Sequence, residues 1–258
     1  MSDMLKEIIQ LVHQTRPLIM DQNKASDITV KGPADFVTQV DLSVQNFLRK
    51  ALLEKYPQIQ FMGEEDHLNT MDPEKPAWIL DPIDGTTNLI YDFHHSAVSL
   101  GYYENHQIQM GVVYNPFTEE TFWAKRGEGA FLNEQPICVR PTAALDNSLI
   151  SIGTSPYDKD MAEENFHLFK TLFLKSLDIR RTGAASLDLA YTACGRLDGY
   201  LERNLKPWDF AAGAVILEEA GGIITTYDGS PVNYCKNQDI LASCPSIHPQ
   251  LLELTKRL

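Results

Sequence analysis

The chain reads as a mixed α/β protein built in layers, and three patterns carry that reading. Segments of strand and helix character alternate through the second half without a long linker, the order that stacks helices on sheets. Two alternating stretches, residues 96–103 and 107–114, are joined by the polar turn Glu104-Asn105-His106, as antiparallel neighbours are. Apolar residues recur at helical spacing in Leu5, Ile8, Ile9 and Val12, and again in Val44, Phe47, Leu48, Ala51 and Leu52. With 258 residues and 43% hydrophobic content the chain can bury a sizeable core, as one large domain or two small ones.

The elements follow in order. An amphipathic helix is expected over residues 4–20, ended or bent by Pro17, and it carries packing without visible chemistry. Residues 29–36, with Lys31-Gly32-Pro33-Ala34-Asp35, are turn-rich and polar and are expected as a mobile loop. Asp41 opens the next helix as its N-cap, and Tyr56-Pro57 closes it. After the apolar run 59–62, Trp78, Ile79 and Leu80 suit a short covered strand. Pro82, which has no N–H to give a sheet, stops the pairing there. Beyond the two strands at 96–114, residues 121–125 read as another strand. Gly127-Glu128-Gly129-Ala130-Phe131 reads as a turn, since no Lys-Ser or Lys-Thr of a phosphate loop follows it. The remainder alternates: strand 149–152, helix 161–172, strand 178–181, helix 187–193, strand 199–202, helix 209–220, strands near 223–226 and 240–242, and a closing helix through Leu251, Leu252 and Leu254.

Chemistry concentrates where the covered strand ends. Asp81 and Asp84 flank Pro82-Ile83, and Glu64 arrives from the apolar run before it. Carboxylates crowded together repel one another unless a cation sits among them, and an all-oxygen set favours Mg²⁺, Mn²⁺ or Ca²⁺ over zinc. Gly85-Thr86-Thr87-Asn88 then reads as a turn entering a helix, where free backbone N–H groups favour an anion. A metal cluster beside an anion pocket points to phosphate chemistry. His94-His95 does not make a zinc site, because adjacent histidines point apart on a strand and no cysteine lies near.

Four stretches taken together resemble the inositol monophosphatase family, which is metal-dependent and lithium-sensitive. They are Gly63-Glu64-Glu65; Asp81-Pro82-Ile83-Asp84-Gly85-Thr86-Thr87-Asn88; Trp208-Asp209-Phe210-Ala211-Ala212-Gly213; and Glu219-Ala220-Gly221-Gly222. Order and spacing match from the first helix nearly to the C-terminus. The resemblance implies a single domain over residues 1–258 with a five-layer α-β-α-β-α sandwich of the sugar phosphatase type, and a homodimer. It implies one Mg²⁺ held by Glu64, Asp81, Asp84 and the Ile83 carbonyl, and a second held by Asp84 and Asp209 with Asp81 as a bridge. Two or three ions are expected, with Mn²⁺ possible. Such ions clamp the phosphate, lower the pKa of a water and stabilise the leaving alkoxide during in-line attack, with no covalent phosphoenzyme.

The same resemblance assigns the remaining roles. Glu64 and Thr86 orient the attacking water, Asp41 adds a part in holding water at the metals beyond its place as a helix cap, and the backbone amides of Gly85 and Thr86 hold phosphate. Gly183, Ala184 and Ala185 at a helix entrance, Glu202 at a strand end, and Asp209 contact the sugar or cyclitol; without the resemblance these are a packed turn, a surface acid and an N-cap. Lys31 matches a place on the family's active-site flap. Where the family has proline and an apolar residue, this chain has His94-His95. Thr86-Thr87-Asn88 favours the branch that hydrolyses inositol 1-phosphate or a similar small polyol phosphate. The same metal core also serves fructose 1,6-bisphosphate and the nucleotides 3'-phosphoadenosine 5'-phosphate and NADP. Arg180-Arg181 is open to a second phosphate, to solvent or to a subunit interface.

Composition bounds the alternatives. A formal net charge of −13 argues against direct nucleic-acid binding or attachment to an anionic membrane. No apolar run approaches the roughly 20 residues of a membrane span. Cys138, Cys194, Cys235 and Cys244 form no C-x-x-C pair, and the N-terminus lacks a cationic start followed by an apolar core, so a cytoplasmic protein with reduced thiols is expected. A reading of another class is a regulatory partner-binding protein on this fold. The presence of Glu64, Asp81, Asp84, Thr86 and Asp209 together favours catalysis.

Overall fold

The structure is a computed structural model that describes residues 3–21, 25–32, 35–66 and 70–256. Leu5, Ile8 and Val12 form the buried stripe of α1 (Asp3–His13), with Ile9 at its margin. The helix stops before Pro17, not at it. Pro17 lies in the first turn of α2 (Arg16–Ile19), where a missing N–H breaks no helical bond.

Residues 29–36, expected as a loop, belong instead to an antiparallel hairpin of β1 (Ile28–Gly32) and β2 (Asp35–Thr38); Pro33 and Ala34 lie outside the described residues. Residues 28–31 are all exposed, so no apolar and polar alternation marks the strand in sequence. The next helix, α3 (Gln39–Lys55), begins earlier than Asp41. Thr38 is its N-cap, and Asp41 is the third helical residue, closing a capping box by accepting the Thr38 N–H at 2.8 Å.

The first sheet has seven strands in chain order. β3 (Gln60–Gly63) runs parallel to β4 (Ala77–Asp84). An antiparallel meander follows through β5 (Ala97–Glu104), β6 (Gln107–Asn115), β7 (Glu120–Lys125), β8 (Gly129–Leu132) and β9 (Gln135–Ile137). Two expectations change here. Pro82 interrupts β4 without ending it: pairing with β5 holds to Asp81↔Ser99, slips, and resumes at Asp84↔Ala97, a bulge that re-aims both aspartates. Residues 129–131, read as a turn, start β8, so only residues 126–128 turn.

The second sheet has the order β11 (Asp178–Arg180), β10 (Leu149–Ile152), β12 (Gly199–Leu205), β14 (Gln238–Ser243), β13 (Ile223–Thr226). Its first three strands are parallel to one another, and β14 runs antiparallel to both neighbours.

Apolar alternation stacks the layers. Trp78 and Leu80 of β4 face α1 and α3, packing with Leu5, Val44 and Leu48. Ile79, between them in sequence, faces the other way, towards α6 (Ala185–Ala193) and α7 (Pro207–Glu219). Those helices also cover Tyr200, Ile240 and Ala242 of the second sheet, whose far face packs Ile150, Leu201 and Leu241 against α5 (Ala162–Lys175) and α8 (His248–Thr255). The result is the five-layer α-β-α-β-α sandwich. The middle helix comes close because its neighbours are small: a Cβ on Gly111 of β6 would stand 2.6 Å from the Ala212 carbonyl oxygen, and one on Gly213 would stand 2.6 Å from Leu189 Cβ.

Candidate active site

A cleft of about 220 Å³ opens where the ends of both sheets meet the starts of α6 and α7. Its lining gathers Glu64, Asp81, Ile83, Asp84, Gly85 and Thr86 from the first half of the chain. From the second half it gathers Gly183, Ala185, Glu202 and Asp209. Asp41 and Ala184 lie behind this surface, both buried.

Each acid is held by protein donors. Glu64 follows β3, and the Lys31 ammonium from the hairpin stands 3.9 Å from its carboxylate and 2.6 Å from that of Glu65. Asp81 Oδ1 accepts the Ile83 N–H at 3.0 Å, the local bond that the bulge permits. Asp84 reaches across to the start of α6, where Oδ2 accepts the Ser186 N–H at 2.7 Å and the Ser186 hydroxyl at 2.5 Å, while Oδ1 accepts the Ala185 N–H at 3.2 Å. Donors at a helix start are well placed for a carboxylate. Asp209 Oδ2 accepts the Lys206 N–H at 2.8 Å, so Asp209 is the third residue of its helix and not its N-cap.

Gly85 (φ +86°) is the N-cap of α4 (Thr86–Ile90), a conformation that favours glycine. The single Thr86 hydroxyl proton has two acceptors, Asp41 Oδ1 at 2.9 Å and the Ile83 carbonyl at 3.0 Å. Asp41 Oδ2 is taken by Thr38, and among the described residues Thr86 is its hydrogen-bonded link to the cleft. Asn88 Nδ2 donates to the carbonyls of His95 and Thr182, which fastens α4 to the turn before α6.

Burial raises the pKa of Glu64, Asp81, Asp84 and Asp209 above the ordinary carboxylate range. Mutual repulsion adds to this for Asp81, beside Glu64 and Asp84, and for Asp209. Glu64 and Asp81 lie close enough that each one's charge disfavours the other's. Among the described residues no group of three His, Cys, Asp or Glu side chains is gathered to hold a metal ion, the cleft acids being turned to protein donors. As chemistry, Glu64, Asp81, Asp84, Asp209 and the Ile83 carbonyl remain an oxygen-only set whose retained protons a hard divalent cation would displace.

The histidine pair stays outside. His94 bonds Asp92 at 2.8 Å and stacks on Phe117, while His95 packs edge-on to Tyr191, and neither lines the cleft. The four cysteines are free, and among the described residues no helix is long and apolar enough to cross a membrane. Sequence reasoning passed over Asp188, Tyr157, Phe36 and Gly153, all of which line the cleft. Asp188 had a signal, since it is the lone charge in the apolar run Ala184 to Ala190. It is fully buried, its Oδ2 accepts the Thr182 hydroxyl at 2.7 Å, and burial pushes its pKa up to about 8. Gly153 is required by Glu202, whose carboxylate would overlap any Cβ there. Glu202 in turn accepts the Tyr200 hydroxyl at 2.5 Å and the Ser155 N–H at 3.0 Å.

Known proteins share this chain's pattern along its length. It is 38% identical over 242 residues to an "Inositol-1-monophosphatase" of Caulobacter vibrioides, covering 92% of this chain and 94% of that protein. It is 39% identical over 217 residues to a "Nus factor SuhB" of Vibrio cholerae, covering 84% of this chain and 81% of the relative. The crystal structure of the extragenic suppressor protein suhB from Bartonella henselae superposes with a TM-score of 0.92 at 32% identity, over 99% of both chains. The family model described as "Inositol monophosphatase family" matches residues 1–258, and with the shared five-layer fold this means that the chain belongs to the inositol monophosphatase family.

Proposed function

We propose that the protein is a Mg²⁺-dependent phosphoric monoester hydrolase acting on inositol 1-phosphate or a similar small polyol phosphate, as one domain over residues 1–258, in a cytoplasmic homodimer. The observation that carries this reading is the meeting of Glu64, Asp81, Ile83, Asp84 and Asp209 with Gly85 and Thr86 in one cleft. Held by those acids and the Ile83 carbonyl, two or three Mg²⁺ ions, or Mn²⁺ in their place, would neutralise phosphate charge and acidify water.

The chain's own residues do the rest. The backbone amides of Gly85 and Thr86 hold the phosphate oxygens. Thr86, anchored through its hydroxyl to Asp41 and Ile83, positions a water in line with the scissile P–O bond, and Glu64 takes up the proton that the water gives away. The P–O bond to the leaving group breaks as the new one forms, and the departing alkoxide takes a proton from solvent, releasing the polyol and inorganic phosphate. Gly183 and Ala185 shape the wall against which the ring lies, with Ala184 backing it, while Glu202 and Asp209 accept hydrogen bonds from its hydroxyls. Bonds from Tyr200 and Ser155 hold Glu202 in place before any substrate arrives, so its ordering is not charged to binding.

Phosphate release from inositol 1-phosphate, glycerol 2-phosphate, fructose 1,6-bisphosphate, 3'-phosphoadenosine 5'-phosphate and NADP, each with Mg²⁺ and with EDTA, tests the reading. Metal-dependent release fastest from inositol 1-phosphate is expected. A different winner keeps the chemistry and moves the branch. Relatives named as Nus factors favour a second reading, a regulatory partner-binding protein, and release from none of the five would put it first.

A further inference from the structure

Asp188 is a carboxyl group where packing needs none. It lies near the start of α6 between Leu187 and Leu189, and all three are buried. Burial raises its pKa, and the neighbouring charges of Glu202 and Asp84 push the same way. Among the described residues its Oδ1 has no hydrogen-bond partner. The Ser151 hydroxyl of β10, near enough to favour the charge, donates to the Arg180 carbonyl at 3.3 Å. An apolar side chain here would avoid both penalties.

The other oxygen shows what the acid is for. Oδ2 accepts the Thr182 hydroxyl at 2.7 Å, tying α6 back over the turn that leads into it. Thr182 is gripped from the opposite wall as well, because its carbonyl accepts Asn88 Nδ2 of α4 at 2.9 Å. On either side of Thr182, Arg181 and Gly183 line the cleft. Gly183 (φ +89°) gives this turn little stiffness of its own, so its shape is imposed by the two bonds that hold Thr182.

On the phosphatase reading, we propose that Asp188 is a positioning residue: through Thr182 and Asn88 it holds residues 181–184 at a fixed distance from α4, and so sets the space between the phosphate end of the cleft at Gly85 and Thr86 and the wall that takes the polyol ring. Asp188 itself touches no substrate.

Kinetics in Mg²⁺ are compared on inositol 1-phosphate and on glycerol 2-phosphate, which has no ring to lay against that wall, for the wild type, Asp188→Ala, Asp188→Asn, Thr182→Val and the double variant Asp188→Ala/Thr182→Val. Asp188→Ala is expected to raise KM for inositol 1-phosphate about tenfold with kcat within about threefold, and to leave glycerol 2-phosphate within about twofold. Asp188→Asn keeps an oxygen for the Thr182 hydroxyl and recovers most of the loss. Thr182→Val cuts the same bond from its other end, so it matches Asp188→Ala, and the double variant is no worse than either alone. Should Asp188→Ala fail to fold, Thr182→Val carries the comparison. Equal losses on both substrates, an unmoved KM, losses that add in the double variant, or an asparagine no better than alanine overturn the role. Hydrolysis of neither substrate by the wild type is the separate failure of the phosphatase reading. Calorimetric binding of inositol 1-phosphate, then undisturbed by turnover, still decides the role, and no binding by the wild type or a Kd unmoved by Asp188→Ala overturns it.

Discussion

The two walls of the cleft are held in different ways. On the wall from the first half of the chain, the fixing bonds are mostly local, Asp41 accepting from Thr38, Asp81 from Ile83, and Thr86 donating to Ile83, with the Thr86 bond to Asp41 as the long one. On the wall from the second half, local bonds from Tyr200 to Glu202 and Lys206 to Asp209 are joined by ones that span the sequence, from Ser155 to Glu202 and from Arg181 to Thr154. Asp84 joins the two, being fixed by the α6 start about a hundred residues later. Local bonds decide where an acid points, whereas distant ones decide how far apart the walls stand.

The largest effect is expected where the walls are joined. Asp84→Asn keeps the shape but removes the charge that faces α6, and turnover should fall about a hundredfold or more, read as phosphate release at saturating substrate and Mg²⁺. Near-wild-type turnover would remove Asp84 from the site. Next comes the spacing itself. Gly111→Val pushes branched carbon onto the Ala212 carbonyl, and a loss of about 1–3 kcal/mol is expected from the urea midpoint. An unchanged midpoint would mean that α7 shifts freely and that the distance between walls is not fixed there.

A local bond should matter less to stability. Thr38→Ala removes the α3 cap and one partner of Asp41, and about 1 kcal/mol should be lost in the same urea series. A loss as large as that of Gly111→Val would erase the contrast between local and distant bonds. The smallest effect concerns His248, buried on α8, where its ring nitrogens meet the Ser243 hydroxyl at 2.9 Å and the Thr225 hydroxyl at 3.1 Å. Burial lowers its pKa, so the fold prefers the neutral ring. Its contribution is present above the unfolded pKa of about 6.5 and is lost as pH falls through that value towards the lowered one. His248→Gln should therefore lose less stability than wild type between pH 8 and pH 5.5, and parallel curves for the two proteins would show that the burial is without consequence.

This contrast also explains what could be read from the sequence. The amphipathic stripes and the alternation of strand and helix follow from short-range pattern, and they hold up in the fold. The family resemblance carried the fold further than periodicity could, to the number of layers. The Thr38 cap was legible in principle, since Thr38-x-x-Asp41 is a capping box, but attention to the acid hid the hydroxyl before it. The β1–β2 hairpin was not legible, because exposed residues along β1 leave no alternation to read. Arg180 and Arg181 are neighbours of one type; only the end of β11 sends one to Asp178 and the other to the cleft.

Helix α7 is buried from Phe210 to Leu217, on every side, because it is clasped between both sheets. A helix with no face for water has no stable place until both of its partners exist. During synthesis the antiparallel meander from β4 to β9 can form early from near neighbours. The second sheet must wait for β14, whose residues 238–243 pair with both β12 and β13, and Asp209 waits with it. The cleft is therefore a late event in the life of the chain. A ribosome-bound fragment ending before β14 would carry Glu64, Asp81 and Asp84 before the wall that faces them has folded.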